Sequence, residues 1–193
     1  YQAMDAITTG DNNTAMGFGA LGANTTGATN TAIGYNSLDA NTTGATNVAV
    51  GAHALTANTT AADNVAVGVS ALAANTTGTN NTAVGRAALS TNSTASGNTA
   101  VGQTALQLNT TGADNTAVGK GAMTANTTGT RNIAIGANAY DASDTENDNI
   151  AIGYNAMTTN TAGGAQNIAL GNYALDALTS GDANTAIGLT ALS

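Results

Sequence analysis

A glycine returns every 17 residues in this chain, at Gly17, Gly34, Gly51, Gly68, Gly85, Gly102, Gly119, Gly136 and Gly153, then after one step of 18 at Gly171, then at Gly188. The Asn four places earlier and the Ala two places earlier keep the same step, from Asn13 and Ala15 to Asn184 and Ala186. With that Asn as slot 1, the unit reads N-[TVI]-A-[VILM]-G-x-x-A-L-x-x-N-T-T-G-x-x. So strict a period governs the architecture before local propensity does, because each unit buries its apolar side against the next. Residues 1–193 therefore read as a single repeat array. Ala3 and Met4 already stand in slots 8 and 9, and Thr190–Ser193 stops in mid-unit. There is no initiator Met, signal peptide or membrane-length apolar run. We expect a slice of a longer protein, with any targeting signals outside it and no membrane insertion by this segment.

The unit is too short for a pair of helices, and Thr, Asn and Gly would weaken each one. In N-T-A-V-G, slots 2 and 4 are β-branched or aliphatic around a small slot 3, which is a strand pattern that the Gly then ends. The A-L-x-x-N-T-T stretch is expected to hold a second short strand or a tight corner. The reading is all-β: a parallel β-roll, or β-solenoid, of about eleven stacked 17-residue coils. If each coil advances one strand spacing, about 4.8 Å, residue n lies on residue n+17 and the rod is about 50 Å long. Asn then stacks on Asn, where side-chain amides bond along the axis.

Two orientations of the strand remain open. The Ala of slot 3 (Ala49, Ala66, Ala83) never varies, and slot 8 is Ala in all units but the one with Ser37. Such smallness points to a narrow interior that accepts only a methyl. Slot 4 (Val50, Val67, Val84, Val101, Val118, Ile135, Ile152) would then face outward as an apolar stripe too large for an isolated monomer. The alternative puts Val and Ile inside and leaves a self-sufficient monomer. The slot-9 column, with Leu55 and Leu72, needs burial either way.

Composition narrows the function. Three basic residues stand against eleven acids, giving a net charge of -8. Nucleic acids and anionic membranes demand a positive footprint, so both are disfavoured as partners. Without cysteine there is no disulfide framework or thiol chemistry. The Gly, Ala, Asn and Thr bias alone would fit low-complexity disorder, but the β-branched register opposes it.

N-T-A-I-G (30–34) and N-V-A-V-G (47–51) resemble the YadA-like head repeats of trimeric autotransporter adhesins, and the unit with A-L-x-x-N-T-T-G is similar to longer arrays in bacterial and phage tail-fibre proteins. The resemblance covers essentially the whole chain. It implies a left-handed parallel β-roll assembled as a homotrimer, with aliphatic slots toward the trimer axis and small residues filling the roll. It also implies a place at a cell surface or on a virion. The usual head unit is shorter, so the N-T-T-G segment forms an added bulge or edge.

Few residues offer chemistry. The unit at 137–166 is irregular: Tyr140 replaces Leu, Ser143-Asp144-Thr145-Glu146 replaces N-T-T-G, and the extra residue follows near Gly163-Gly164. Asp141, Asp144, Glu146 and Asp148 are a candidate cation site, since hard cations require several converging oxygens. A solvated turn is the simpler expectation. The sole His, His53, lacks a partner for triad chemistry, so no catalytic residue and no cofactor are expected. Asn24, Asn41, Asn58, Asn75, Asn92, Asn109 and Asn126 form N-x-[ST] sequons, but the repeat itself accounts for them as turn-and-ladder elements. Adjacent Thr in N-T-T face opposite sides of a strand, and slot 2 is interrupted by Val48, Val65, Ile133, Ile150 and Ile168, so the paired Thr array of an ice-binding surface is incomplete. The most variable slots follow each Gly: Phe18-Gly19, Tyr35-Asn36, Ala52-His53, Arg86-Ala87, Lys120-Gly121 and Tyr154-Asn155. Of these, Tyr35, His53 and Tyr154 are candidate surface contacts. The expected function is a structural and adhesive segment of an extracellular fibre that binds a host or matrix receptor through many weak contacts. The alternatives are a monomeric ice- or glycan-binding solenoid and a matrix filament without a ligand.

Overall fold

The computed structural model describes residues 3–142, 144–159 and 163–193. Among them are eleven three-residue strands and no helix: β1 (Thr14–Met16), β2 (Thr31–Ile33), β3 (Val48–Val50), β4 (Val65–Val67), β5 (Thr82–Val84), β6 (Thr99–Val101), β7 (Thr116–Val118), β8 (Ile133–Ile135), β9 (Ile150–Ile152), β10 (Ile168–Leu170) and β11 (Thr185–Ile187). They form a single parallel sheet in chain order. Ala lies on Ala throughout, as in Ala49 with Ala66 and Ala66 with Ala83. Between β9 and β10, Ile150 pairs with Ile168, so the inserted residue is absorbed in the connection and the strand register survives. The chain is a parallel β-solenoid of about ten turns.

Each strand is short because the next residue turns. Gly85 has φ of +132°, and a Cβ on it would sit 2.5 Å from the Gly102 carbonyl oxygen. Both the backbone angle and the close stacking of coils exclude a side chain there. Slots 7, 9 and 17 also adopt left-handed backbone without being glycine, for example His53 (φ 59°), Leu55 (φ 52°) and Thr46 (φ 58°). An isolated residue loses roughly 1–2 kcal/mol in that region. Inter-coil bonding holds it there: the Leu38 N–H donates to Ala54 O at 2.9 Å and the Leu55 N–H to Ala71 O at 3.0 Å. The A-L-x-x-N-T-T stretch is a tight corner rather than a second strand, yet its amides also bond along the axis, Thr25 N–H to Thr42 O at 3.0 Å.

Ala49, Ala66 and Ala83 are fully buried, so slot 3 points inward and slots 2 and 4 point out. The expectation of an interior that accepts only a methyl is corrected in one respect. Slots 3 and 8 are methyl-sized, but the same cluster encloses the slot-9 column, including Leu55, Leu72, Met123 and Tyr140, all without exposure. The left-handed angle at slot 9 turns that side chain inward, where it occupies space the alanines leave.

Amides fill the rest of the interior. The slot-1 Asn side chains are linked coil to coil: Asn81 N–H donates to Asn64 Oδ1 at 3.0 Å, and Asn81 Nδ2 donates to Ala95 O at 2.9 Å. The slot-12 Asn side chains form a second ladder, with Asn92 Nδ2 donating to Asn75 Oδ1 at 3.0 Å and to Ala95 O at 3.0 Å. Buried polar groups are tolerated because they are paired. The second ladder runs to Asn126, whose buried Oδ1 has no partner among the described residues. The next slot-12 position, Ser143, lies outside them.

Candidate functional site

The outward face of the sheet is the most extended chemical feature of the rod. Slot 2 alternates among Thr, Val and Ile, and slot 4 is aliphatic in every strand. Because register is one to one, both slots become straight columns running the length of the array. Val50, Val67, Val84, Val118 and Ile152 are half-buried by their own column neighbours, while Val101 and Ile135 are exposed. Towards the C-terminal end both columns are large, with Ile133 and Ile135, Ile150 and Ile152, then Ile168 and Leu170. These side chains cannot reach the roll interior, which Ala, Leu and Asn already fill. The face therefore carries apolar surface with no partner among the described residues. Full burial of such a side chain from water contributes roughly 1.5–3 kcal/mol, and the half-buried ones here retain part of that to gain from a partner surface.

The four acids of the irregular unit are not gathered round one point. Among the described residues no group of three or more His, Cys, Asp or Glu side chains is placed to hold a metal. Asp148 faces Arg131 in the coil below, with Arg131 Nε to Oδ1 at 2.6 Å and Nη2 to Oδ2 at 2.8 Å. The hydrogen bond from Arg131 holds the Asp148 carboxyl below its usual range, and the same bond raises Arg131. The Glu146 carboxylate turns back to accept from the Asp144 and Thr145 N–H groups, both at 3.1 Å. Asp144 accepts from the Thr127 hydroxyl. Burial pushes the Asp141 carboxyl up. Ser143, part of the same segment, lies outside the described residues.

The variable slots after each Gly do form an edge. Phe18 stacks on Tyr35 with ring centroids 5.7 Å apart and planes 13° from parallel, and His53 meets Tyr35 edge-on at 5.2 Å. Tyr154 meets Tyr173 edge-on at 5.4 Å. His53 and Tyr35 are thus neighbours in one aromatic ladder: Phe18 and Tyr35 share slot 6 at n+17, and His53 joins from slot 7 of the next coil, 18 residues after Tyr35. The sequon amides lie inside the roll, with Asn24, Asn41 and Asn58 fully buried. In N-T-T the first hydroxyl is spent on the next coil, as in Thr42 Oγ1 to Thr59 O at 3.0 Å, and the second Thr is exposed. Exposed Thr side chains on that edge thus make a column one residue wide.

Tyr140 lies in the core, as its place in the Leu column leads one to expect. Sequence reasoning missed two things here. The Tyr140 hydroxyl accepts from Asn149 Nδ2 at 2.6 Å inside the roll. Gly19 and Gly22 leave a hollow beside Phe18, signalled only by two small residues in slots that vary. Comparison of the chain with protein-family models, with curated proteins and with solved structures gives no match to any of them.

Proposed function

We propose that this chain is a structural and adhesive segment of an extracellular fibre, in which three left-handed rolls pack their outward strand faces around a shared axis. The observation that carries this reading is the unpartnered double column of slots 2 and 4, aliphatic at slot 4 in every strand. Large contiguous apolar surface on a soluble chain marks an interaction site. A straight rod meeting copies of itself at equal height places Val on Val and Ile on Ile in every coil. The outer edges, with Tyr35, His53 and Tyr154, stay free to contact a host or matrix surface. Repetition along a stiff rod converts weak contacts into avidity. The single column of exposed Thr side chains gives an ice-binding monomer less support.

Cysteine cross-linking tests the arrangement, since the chain has no native cysteine. Val84→Cys is expected to yield covalent dimers on mild oxidation, and Thr128→Cys, on an exposed corner away from the sheet, is expected to remain monomeric on a denaturing gel. Equal cross-linking at both positions, or none at Val84→Cys, would count against the shared axis.

A further inference from the structure

An open hollow of about 610 Å³ indents the rod near its first coils, lined by Asp5, Phe18, Gly19, Gly22, Ala23, Asp39 and Ala40. No strand residue lines it, so it is separate from the apolar face. Its shape follows from the register. Asp5, Gly22 and Asp39 occupy slot 10 of three successive coils, which puts two carboxylates either side of a missing side chain, with backbones two strand spacings or roughly 10 Å apart. In the middle coil slot 7 is also glycine, so Gly19 and Gly22 together make a floor without side chains of its own, over which Asn36 Oδ1 and Asp39 Oδ1 of the next coil lean. Phe18 stands as one wall, 55% exposed and held by its stack on Tyr35. No base answers the two carboxylates: the ion pair among the described residues is Arg131–Asp148.

We propose that this notch binds a primary alkylammonium group, as carried by a lysine side chain or a small amine. Three N–H donors on one nitrogen can be shared between carboxylates on opposite sides, which a neutral hydroxyl cannot match in charge. The face of an aromatic ring attracts the same cation, and the alkyl stem has Ala23, Ala40 and the Phe18 ring to lie against. The chain's net charge of -8 adds a long-range attraction for cations. Glycine at the floor favours this geometry: a Cβ on Gly22 would lie 2.7 Å from Asp39 Oδ1, so the end of that side chain would have to shift. Such binding stands apart from trimer formation, because neither carboxylate nor the floor belongs to the strand face.

The test is a titration of the full chain with n-butylammonium chloride at low ionic strength, followed by backbone amide shifts. Saturable shifts confined to Gly19, Gly22, Ala23, Asp39 and Ala40 are expected. Asp39→Asn and Asp5→Asn should each weaken binding about tenfold, and Phe18→Leu several-fold. Gly22→Ala should weaken it by displacing the Asp39 carboxylate while amide shifts of distant coils stay unchanged, which separates a change in the notch from loss of the fold. Saturation by the isosteric butan-1-ol at similar concentration would overturn the proposal. So would shifts spread equally over Asp63 and Asp114, since these report only a diffuse ion atmosphere. The peptide Gly-Lys-Gly binding at the same amides assigns the ammonium to a protein lysine. Its exclusion, with butylammonium still bound, assigns a small amine, and both results uphold the ammonium site.

Discussion

Every inward slot in a coil is matched to its neighbour in the next, so single substitutions act twice. Ala66 is fully buried and stacked between Ala49 and Ala83. Ala66→Leu is expected to overpack the roll and cost roughly 1–3 kcal/mol, read as a lower denaturant midpoint; an unchanged midpoint would mean that the interior has spare room at slot 3. Asn81 donates its Nδ2 to Ala95 O and its N–H to Asn64 Oδ1, and its own Oδ1 accepts from the Asn98 N–H. Asn81→Ala strands buried groups on both neighbouring coils, each at roughly 1–3 kcal/mol, and calorimetry should show a larger loss than for Thr77→Ala, whose side chain is exposed. Two acids respond to pH with opposite sign. Asp148 has a folded pKa below its unfolded value, so its contribution is present above the unfolded value of about 3.9 and disappears as pH falls through the folded one. Asp141 has a raised folded pKa, so its ionisation opposes folding once pH rises above the unfolded value. Asp141→Asn should therefore raise the thermal midpoint at pH 7 and leave it unchanged at pH 2. A midpoint that falls at pH 7 would show that the Asp141 charge is stabilised rather than desolvated.

At the scale of the element, the coil is the unit of stability, since each strand bonds only to the strands before and after it. Deleting residues 69–85 removes one whole period, rejoins Gly68 to Arg86, and preserves every ladder. The shortened chain is expected to stay folded, with its unfolding enthalpy lower by about one coil in ten, as in other one-dimensional arrays. Deleting 69–77 instead breaks the register and should unfold the coils around the cut. Circular dichroism and calorimetry on the two deletions check this; equal tolerance of both would deny that register sets the fold. The strand was legible in the sequence for the same reason that the register is: slots 2 to 4 alternate, and alternation has a fixed meaning for which way a side chain points. That reasoning stopped at the Gly. Leu55 and Tyr140 lie inside although no two-residue rule places them, because left-handed backbone at slot 9 resets the direction of the side chain. The four acids looked like one group by their spacing, yet the turn sends Asp148 to Arg131 and folds Glu146 back on its own amides. The notch beside Phe18 was illegible as well, since it depends on residues that are 17 apart and on the absence of two side chains.

The whole rod has a filled interior, amide ladders within it, and an apolar sheet face that no other described residue covers. A monomer in water would expose that face along roughly 50 Å of rod. The trimer reading accounts for it without altering a single internal contact, and it leaves the corner slots free for surface contacts. Light scattering on the purified chain at micromolar concentration, in moderate salt, tests this most directly. A mass near three times the 18.6 kDa of one chain is the expected result, and a monodisperse, soluble species of one chain mass would contradict it.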